Sequence, residues 1–136
     1  GDDFLEVHGS GALDGIDVDM NLISDTMPTL AALAPFARHP VTIRNVAHVR
    51  WQESDRLHAV ATELQRLGVR VRERDDGLVI EPSTIRPAVV QTYDDHRIAM
   101  SFALIGLRVA GIGIRNPACV GKTFPDFFTR LEALRR

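Results

Sequence analysis

Residues 55–67 read as one amphipathic helix, and the segments on either side of it decide what this chain can fold into. Leu57, Val60, Ala61, Leu64 and Leu67 fall on one stripe at the helical period, and Gly68 follows as a C-terminal stop. Before the helix, 41–46 has the composition and alternation of a strand. After it, Val69-Arg70-Val71-Arg72 alternates again, Asp76-Gly77 signals a hairpin turn, and Leu78-Val79-Ile80 is the return strand. A helix with one apolar stripe must lie on an apolar surface, and strands on both sides of it in sequence supply a sheet.

The rest of the chain repeats this alternation. Residues 4–7 read as a strand running into a turn at Gly9-Ser10-Gly11, and 16–20 alternates in the same way. Leu30, Leu33 and Ala34 follow at helical spacing, in a region that Pro40 ends. Asp94 or Asp95 opens a second long helix that is expected to reach about residue 110, ahead of Gly111. Ile98, Phe102, Ile105 and Val109 form one row, while Met100, Leu104 and Leu107 lie elsewhere, so this helix is apolar nearly all round and belongs inside the protein. Residues 112–115 read as a short strand. Thr123-Phe124-Pro125-Asp126 reads as a last helix start with Thr123 as its cap, and Phe127, Leu131 and Leu134 form its stripe. The class is therefore α/β (α+β), with sheet-and-helix units that recur along a chain of 136 residues, a length suited to one compact domain.

Composition removes several functions. The formal net charge of −2 gives no bulk attraction to nucleic acid, so any anion site must be a local cluster of Arg, Lys and His. A single cysteine, Cys119, excludes an internal disulfide framework and a cysteine-rich zinc site; it is expected to pack at a strand end. The most apolar run, 98–110, has about half the length a membrane span requires and is broken by Arg108. The acidic start is unlike a secretory signal, and a cytoplasmic location is expected. The chain does not begin with Met and opens almost directly on a strand-like stretch, which leads us to expect a fragment of a larger protein.

Four clusters at element boundaries carry groups able to do chemistry. Asp25 lies shortly before a helix, where a carboxylate either caps the helix or points into a cleft. In Arg50-Trp51-Gln52-Glu53-Ser54-Asp55-Arg56 the acids suit a helix start, but Arg56 opposes the helix dipole there and is a candidate to rest on a bound anion. In Tyr93-Asp94-Asp95-His96-Arg97 the acids are ordinary caps, whereas two basic groups opening a buried helix are not. Lys122 sits on a glycine-bearing loop before the last helix, where a solvated lysine is the default. Together the clusters place two arginines, a histidine and a lysine at three helix starts with two carboxylates nearby. Such a set suits a small substrate with several negative charges, handled by general acids and bases.

The same clusters resemble the signatures of the 5-enolpyruvylshikimate-3-phosphate synthase family. Glu53-Ser54-Asp55-Arg56-Leu57 is similar to its Glu-Thr-Asp-Arg-Leu motif, and Tyr93-Asp94-Asp95-His96-Arg97-Ile98-Ala99-Met100 to its Tyr-Asn-Asp-His-Arg-Met-Ala-Met motif. Lys122-Thr123-Phe124-Pro125-Asp126-Phe127-Phe128 resembles its Lys-Thr-Phe-Pro-Asp-Tyr-Phe motif, and Asp19-Met20-Asn21 with Asp25 its Asp-Met-Asn-x-Ile-Pro-Asp segment. The resemblance runs nearly end to end in the family's order. It implies two similar domains of repeated sheet-and-helix units with substrates between them. Residues 1–136 would then be the C-terminal part of one enolpyruvyl transferase domain, the rest of that domain and the opposite domain being absent. It also implies transfer of the enolpyruvyl group of phosphoenolpyruvate to the 5-hydroxyl of shikimate 3-phosphate, with release of phosphate. No metal and no organic cofactor are implied, nor any nucleic-acid or membrane partner, and the parent enzyme is expected to be a monomer.

The resemblance also implies roles. Asp25 matches the aspartate that holds and deprotonates the attacking hydroxyl, and Glu53 the glutamate of proton transfer at the methylene carbon. Arg56 and Arg97 match arginines that grip phosphoenolpyruvate, with His96 as their neighbour, and Lys122 matches the lysine that contacts phosphoenolpyruvate and serves as general acid. His48 and Gln52 depart from the asparagine and lysine of the commonest form, both involved with shikimate 3-phosphate, and the lost lysine weakens the expected hold on the acceptor. Two alternatives stay open. One is a UDP-N-acetylglucosamine enolpyruvyl transferase, against which the Asp-His-Arg and Lys-Thr-Phe-Pro-Asp motifs argue. The other is a non-catalytic or RNA-binding module of the same fold, against which the acidic balance argues. Catalysis requires a closed cleft, so this chain alone is expected to be inactive or nearly so.

Overall fold

The computed structural model describes residues 3–6, 8, 9 and 11–134. Its strands are β1 (Asp17–Asp19), β2 (Val41–Arg44), β3 (Val71–Arg74), β4 (Gly77–Ile80), β5 (Val89–Val90) and β6 (Gly113–Ile114). Its α-helices are α1 (Met27–Leu33), α2 (Arg56–Arg66), α3 (His96–Ala103) and α4 (Phe127–Ala133). Short 3₁₀ stretches occupy Asn21–Thr26, Ala34–Phe36, Ala47–Trp51, Leu104–Leu107 and Pro117–Lys122.

A four-stranded mixed sheet has the order β1-β2-β4-β3. β1 and β2 are parallel and joined through α1, while β4 runs antiparallel to both β2 and β3. β5 and β6 are again parallel, joined through α3. The first unit is thus strand-helix-strand-helix-hairpin, and the second begins the same way, which is the recurrence the sequence pattern implies. Val41, Ile43, Leu78 and Ile80 of the sheet, Leu57, Val60 and Leu64 of α2 and Leu67 at its C-cap meet in one core, joined by Ile98 and Phe102 of α3 and by Ile105 just beyond it. α3 also packs on α1, where the Thr29 and Ser101 hydroxyls are 3.0 Å apart. Arg72, Glu73 and Arg74 place charge along the outer strand β3, which blunts that edge against further pairing.

α2 owes its limits to local chemistry. The Asp55 carboxylate accepts from the His58 amide at 3.0 Å as N-cap. Gly68, at φ +81°, donates to the Gln65 carbonyl at 2.9 Å while Val69 donates to the Leu64 carbonyl at 2.9 Å, the two bonds of a Schellman stop. Asp95, not Asp94, caps α3 by accepting from the Arg97 amide at 2.9 Å.

Several sequence expectations are corrected. Phe4, Leu5 and Glu6 form no strand, and Val7 and Ser10 lie outside the described residues. α3 stops at Ala103 and tightens into 3₁₀ over Leu104–Leu107, so it does not reach residue 110. Thr123 does not cap α4; Asp126 holds that position and makes no side-chain cap bond. Cys119 lies within the 3₁₀ stretch Pro117–Lys122, not at a strand end. The hairpin turn is Asp75-Asp76, with Gly77 already paired to Arg74. Gly77 is needed for another reason: a Cβ there would sit 2.0 Å from the Ile43 carbonyl oxygen. Forcing a methyl group into that contact pushes β4 off β2. Gly77→Ala should therefore lower unfolding stability by about 1–3 kcal/mol, read as an earlier denaturant midpoint; an unchanged midpoint would contradict this account of the glycine.

Candidate functional site

The site forms where the first turns of α2 and α3 meet the two stretches Asn21–Thr26 and Pro117–Lys122. Asp25, Gln52, Glu53, Arg56 and Arg97 line one open depression. Residues far apart in sequence are brought into direct contact there, so these five sequence candidates share one site.

Arg56 is its centre. It opens α2 yet is only 1% exposed. Its Nε donates to Asp95 Oδ2 at 2.7 Å, Nη1 to Asp25 Oδ1 at 3.2 Å and to Gln52 Oε1, and Nη2 to Glu53 Oε2 at 2.5 Å. The planar fork of a guanidinium can serve several acceptors in fixed directions, which a lysine cannot do. Arg56 thus has a structural role as well as any role in ligand binding: the fold itself supplies partners for a cation that the helix dipole disfavours. Gln52, where the family's commonest form carries a lysine, supplies an acceptor to Arg56 instead of a further cation.

Asp95 is the residue that sequence reasoning undervalued. Read only as a helix cap, it is completely buried, caps α3, accepts from Arg56 and also accepts from Ser54 Oγ at 3.1 Å. Its signal in the sequence was no more than one of two adjacent acids, because its partner lies far away on α2.

Arg97 Nη2 donates to Asp25 Oδ2 at 2.8 Å, so Asp25 bridges two arginines. Lys122 Nζ donates to Glu53 Oε1 at 2.5 Å. Lys122 closes a 3₁₀ stretch and stands several residues before α4, so it is not at that helix's N-terminus as the pattern implied. The lysine ammonium, with Arg56 beside it, holds the Glu53 carboxyl down at about 2. His48 is not among the lining groups; its Nε2 is 2.9 Å from Oγ of Ser24, the neighbour of Asp25 in sequence. His96 is 2% exposed, and neither ring nitrogen has a hydrogen-bond partner. Burial pushes its pKa down and keeps the ring neutral, next to the depression but not among its lining groups.

Tyr93 and Asp94, just before Asp95, hold φ of 54° and 58°. Non-glycine residues in this left-handed region cost roughly 1–3 kcal/mol each and persist only where the surroundings enforce them. The Tyr93 hydroxyl donates to Glu63 Oε1 at 2.9 Å, and burial followed by that bond pushes its pKa up to about 12. Asp94 Oδ1 accepts from Asn116 Nδ2 at 2.9 Å, and Asn116 is itself left-handed at φ 49°.

Three cations (Arg56, Arg97, Lys122) are matched here by three carboxylates (Asp25, Glu53, Asp95). In a site so balanced an anion could reach these cations only by displacing a carboxylate, and Asp25 and Glu53 are the more exposed of the three. Among the described residues no group of three or more His, Cys, Asp or Glu is placed to hold a metal ion, and no helix is long and apolar enough to cross a membrane.

Residues 1–131 match the family model described as EPSP synthase (3-phosphoshikimate 1-carboxyvinyltransferase). A 3-phosphoshikimate 1-carboxyvinyltransferase of Nostoc punctiforme is 60% identical over 129 residues, which cover 95% of this chain and 30% of the relative. That of Paraburkholderia phytofirmans is 51% identical over 140 residues, covering 98% of the chain and 32% of the relative. A solved EPSP synthase from Acinetobacter baumannii superimposes with a TM-score of 0.84 at 30% identity, over 90% of this chain and 30% of that one. The chain thus spans about a third of the length of the relatives it matches.

The Glu53–Lys122 bond makes a prediction about pH. The carboxylate form is favoured in the folded state, so its contribution to stability is complete above the unfolded carboxyl's pKa, about 4.3, and is lost as pH falls through about 2. A carbon-detected NMR titration should place the Glu53 midpoint near 2, and Lys122→Met should move it up toward the ordinary carboxyl range. An identical midpoint with and without the lysine would contradict this assignment.

Proposed function

Because the chain belongs to the EPSP synthase (3-phosphoshikimate 1-carboxyvinyltransferase) family, we propose that it is the C-terminal part of one domain of an enzyme that moves the enolpyruvyl group of phosphoenolpyruvate onto the 5-hydroxyl of shikimate 3-phosphate. The observation that carries this reading is the convergence of Asp25, Glu53, Arg56, Arg97 and Lys122, from four separate segments, into one hydrogen-bonded group. These are the positions that match the family's functional residues, and their chemistry suits the reaction.

Phosphoenolpyruvate brings a phosphate and a carboxylate, and Arg56 and Arg97 offer planar donor arrays that fit both. Its entry takes the place of Asp25 on Arg97 and draws Lys122 away from Glu53. Each exchange prepares a catalyst. Asp25, released from Arg97, is free to accept the proton of the attacking 5-hydroxyl. Glu53, relieved of the ammonium that holds its pKa near 2, can take up a proton and deliver it to the methylene carbon. Protonation there gives an oxocarbenium-like carbon, the hydroxyl oxygen adds, and a tetrahedral intermediate forms. Lys122 then supports departure of phosphate, and loss of a proton from the new methyl group restores the double bond in the product. Neutral His96 lies close enough to feel Glu53 and adds no charge to the site.

Gln52, which lines the depression, and His48, bonded to Ser24 beside Asp25, are proposed to face the acceptor, as the matching family positions do. The opposite wall of the cleft would come from the remaining two thirds of a full-length protein, and the isolated chain, with its depression open to water, should show little or no turnover. The reading further implies a cytoplasmic, monomeric enzyme that acts without nucleic acid, membrane or metal.

The test is phosphate release from phosphoenolpyruvate by the full-length protein that carries this sequence, with shikimate 3-phosphate or UDP-N-acetylglucosamine as acceptor. Release should require shikimate 3-phosphate and fall by about 10²–10⁴-fold in Glu53→Gln, the range for a lost general acid or base. Release only with the nucleotide sugar, or with neither acceptor from a folded protein, would overturn the proposal.

A further inference from the structure

Glu63 belongs to no sequence cluster singled out above, yet it is among the most buried charged groups in the molecule, at 0% exposure. It lies near the far end of α2, where a glutamate is ordinarily solvated. Both carboxylate oxygens are used. Oε1 accepts from the Tyr93 hydroxyl at 2.9 Å, and Oε2 accepts from the Gln91 amide at 3.0 Å and from Arg66 Nε at 3.0 Å. All three partners are donors, and two belong to the short connection between β5 and α3.

That connection contains the left-handed pair Tyr93-Asp94. It is fastened to α2 at two levels, since Glu63 holds Gln91 and Tyr93 while Arg56 holds Asp95. Positions 56 and 63 are separated by seven residues, about two helical turns, and so lie on one face. α2 therefore acts as a ruler laid along residues 91–95. On its other side the turn is joined through Asp94 to Asn116, which begins the stretch ending at Lys122. Freed from Glu63, the turn would lose the contact that offsets its unfavourable backbone, and the two charged residues that follow it into the site, Asp95 and Arg97, would no longer be held in direction.

We propose that Glu63 is a positioning residue for this site: by clamping Tyr93 and the Gln91 amide it sets the double left-handed turn from which Asp95 and Arg97, and through Asn116 also Lys122, are presented. The assignment rests on the reading of the depression as the phosphoenolpyruvate site. It adds a second role for α2, which carries Arg56 at one end and the clamp for Arg56's partner segment at the other.

The experiment uses the full-length protein with Tyr93→Phe, Glu63→Gln and the double variant, and Ile80→Val in β4 as a core change outside the site. Tyr93→Phe removes a single hydroxyl and is expected to leave the protein folded. It should raise KM for phosphoenolpyruvate by about five- to tenfold, the fold-change of one lost buried hydrogen bond, with KM for shikimate 3-phosphate essentially unchanged. Glu63→Gln should do more, and the double variant no more than Glu63→Gln alone. Hydrogen exchange at the amides of 95–97 is measured on the same samples and needs no turnover. It should quicken in Tyr93→Phe and Glu63→Gln and not in Ile80→Val. If the wild-type protein shows no turnover, the functional reading fails while exchange still decides the clamp. Unchanged exchange at 95–97, or a loss of activity spread equally over both substrates and paralleling Ile80→Val, would overturn the proposal.

Discussion

The arrangement depends on one buried ion pair, Arg56 with Asp95. Two charges taken out of water are tolerated only where their hydrogen-bonding capacity is nearly filled, and removing one partner of such a pair typically costs about 3–5 kcal/mol. Here Asp95 meets the Arg56 guanidinium, the Ser54 hydroxyl and the first turn of α3. Arg56 meets Asp95 together with three groups at the mouth of the site. The pair thereby brings the starts of two helices together. Both dipoles turn their positive ends toward the same place, and the arginines add to that field. Acidic caps at both helix starts, Asp55 and Asp95, offset it.

The electrostatics follow from this geometry. Asp95 is sealed inside and holds the inner edge of Arg56. Asp25 and Glu53 stand at the edge and hold the outward donors of the same guanidinium, of Arg97 and of Lys122. One set of carboxylates is structural and the other exchangeable, and burial alone separates them. On the proposed function, an entering anion would displace only the second set, and the groups it released would be the ones proposed to move protons. Glu53 is the clearest case, because the lysine that keeps it ionised is itself a candidate phosphate ligand.

Much of the fold was legible because it is locally encoded. The stripe from Leu57 to Leu67 lies against the core as its period implies, and Asp55, Asp95 and Gly68 mark ends by bonds to their own neighbours. What escaped was decided at a distance. The 3₁₀ stretches Ala47–Trp51 and Pro117–Lys122 have no periodic signature, since at five and six residues they are too short to show one and tertiary contacts set their direction. β5 is two residues long and exists only by pairing with β6. Gly77 looked like a turn residue and serves instead to let two strands approach. At the site, Arg56, Arg97, Asp25, Glu53 and Lys122 stood out because basic groups at helix starts are unusual and because they fall in recognisable motifs. Asp95 and Glu63 did not. One resembled an ordinary cap and the other an ordinary surface glutamate, and only contacts to Arg56, Gln91 and Tyr93 show otherwise.

The central claim is that Arg56 is a fixed, internal cation while Arg97 is an exchangeable one. Solvent exchange of the two Nε–H groups, followed by nitrogen-15 NMR as inorganic phosphate is added, tests it most directly. The Arg56 Nε–H, locked to Asp95 at 2.7 Å, should exchange slowly and stay protected at every phosphate concentration. The Arg97 signal, from a partly exposed side chain, should exchange quickly and shift as phosphate replaces Asp25. An Arg56 Nε–H that exchanges as fast as that of Arg97, or loses its protection when phosphate binds, would mean that the buried pair does not organise the site.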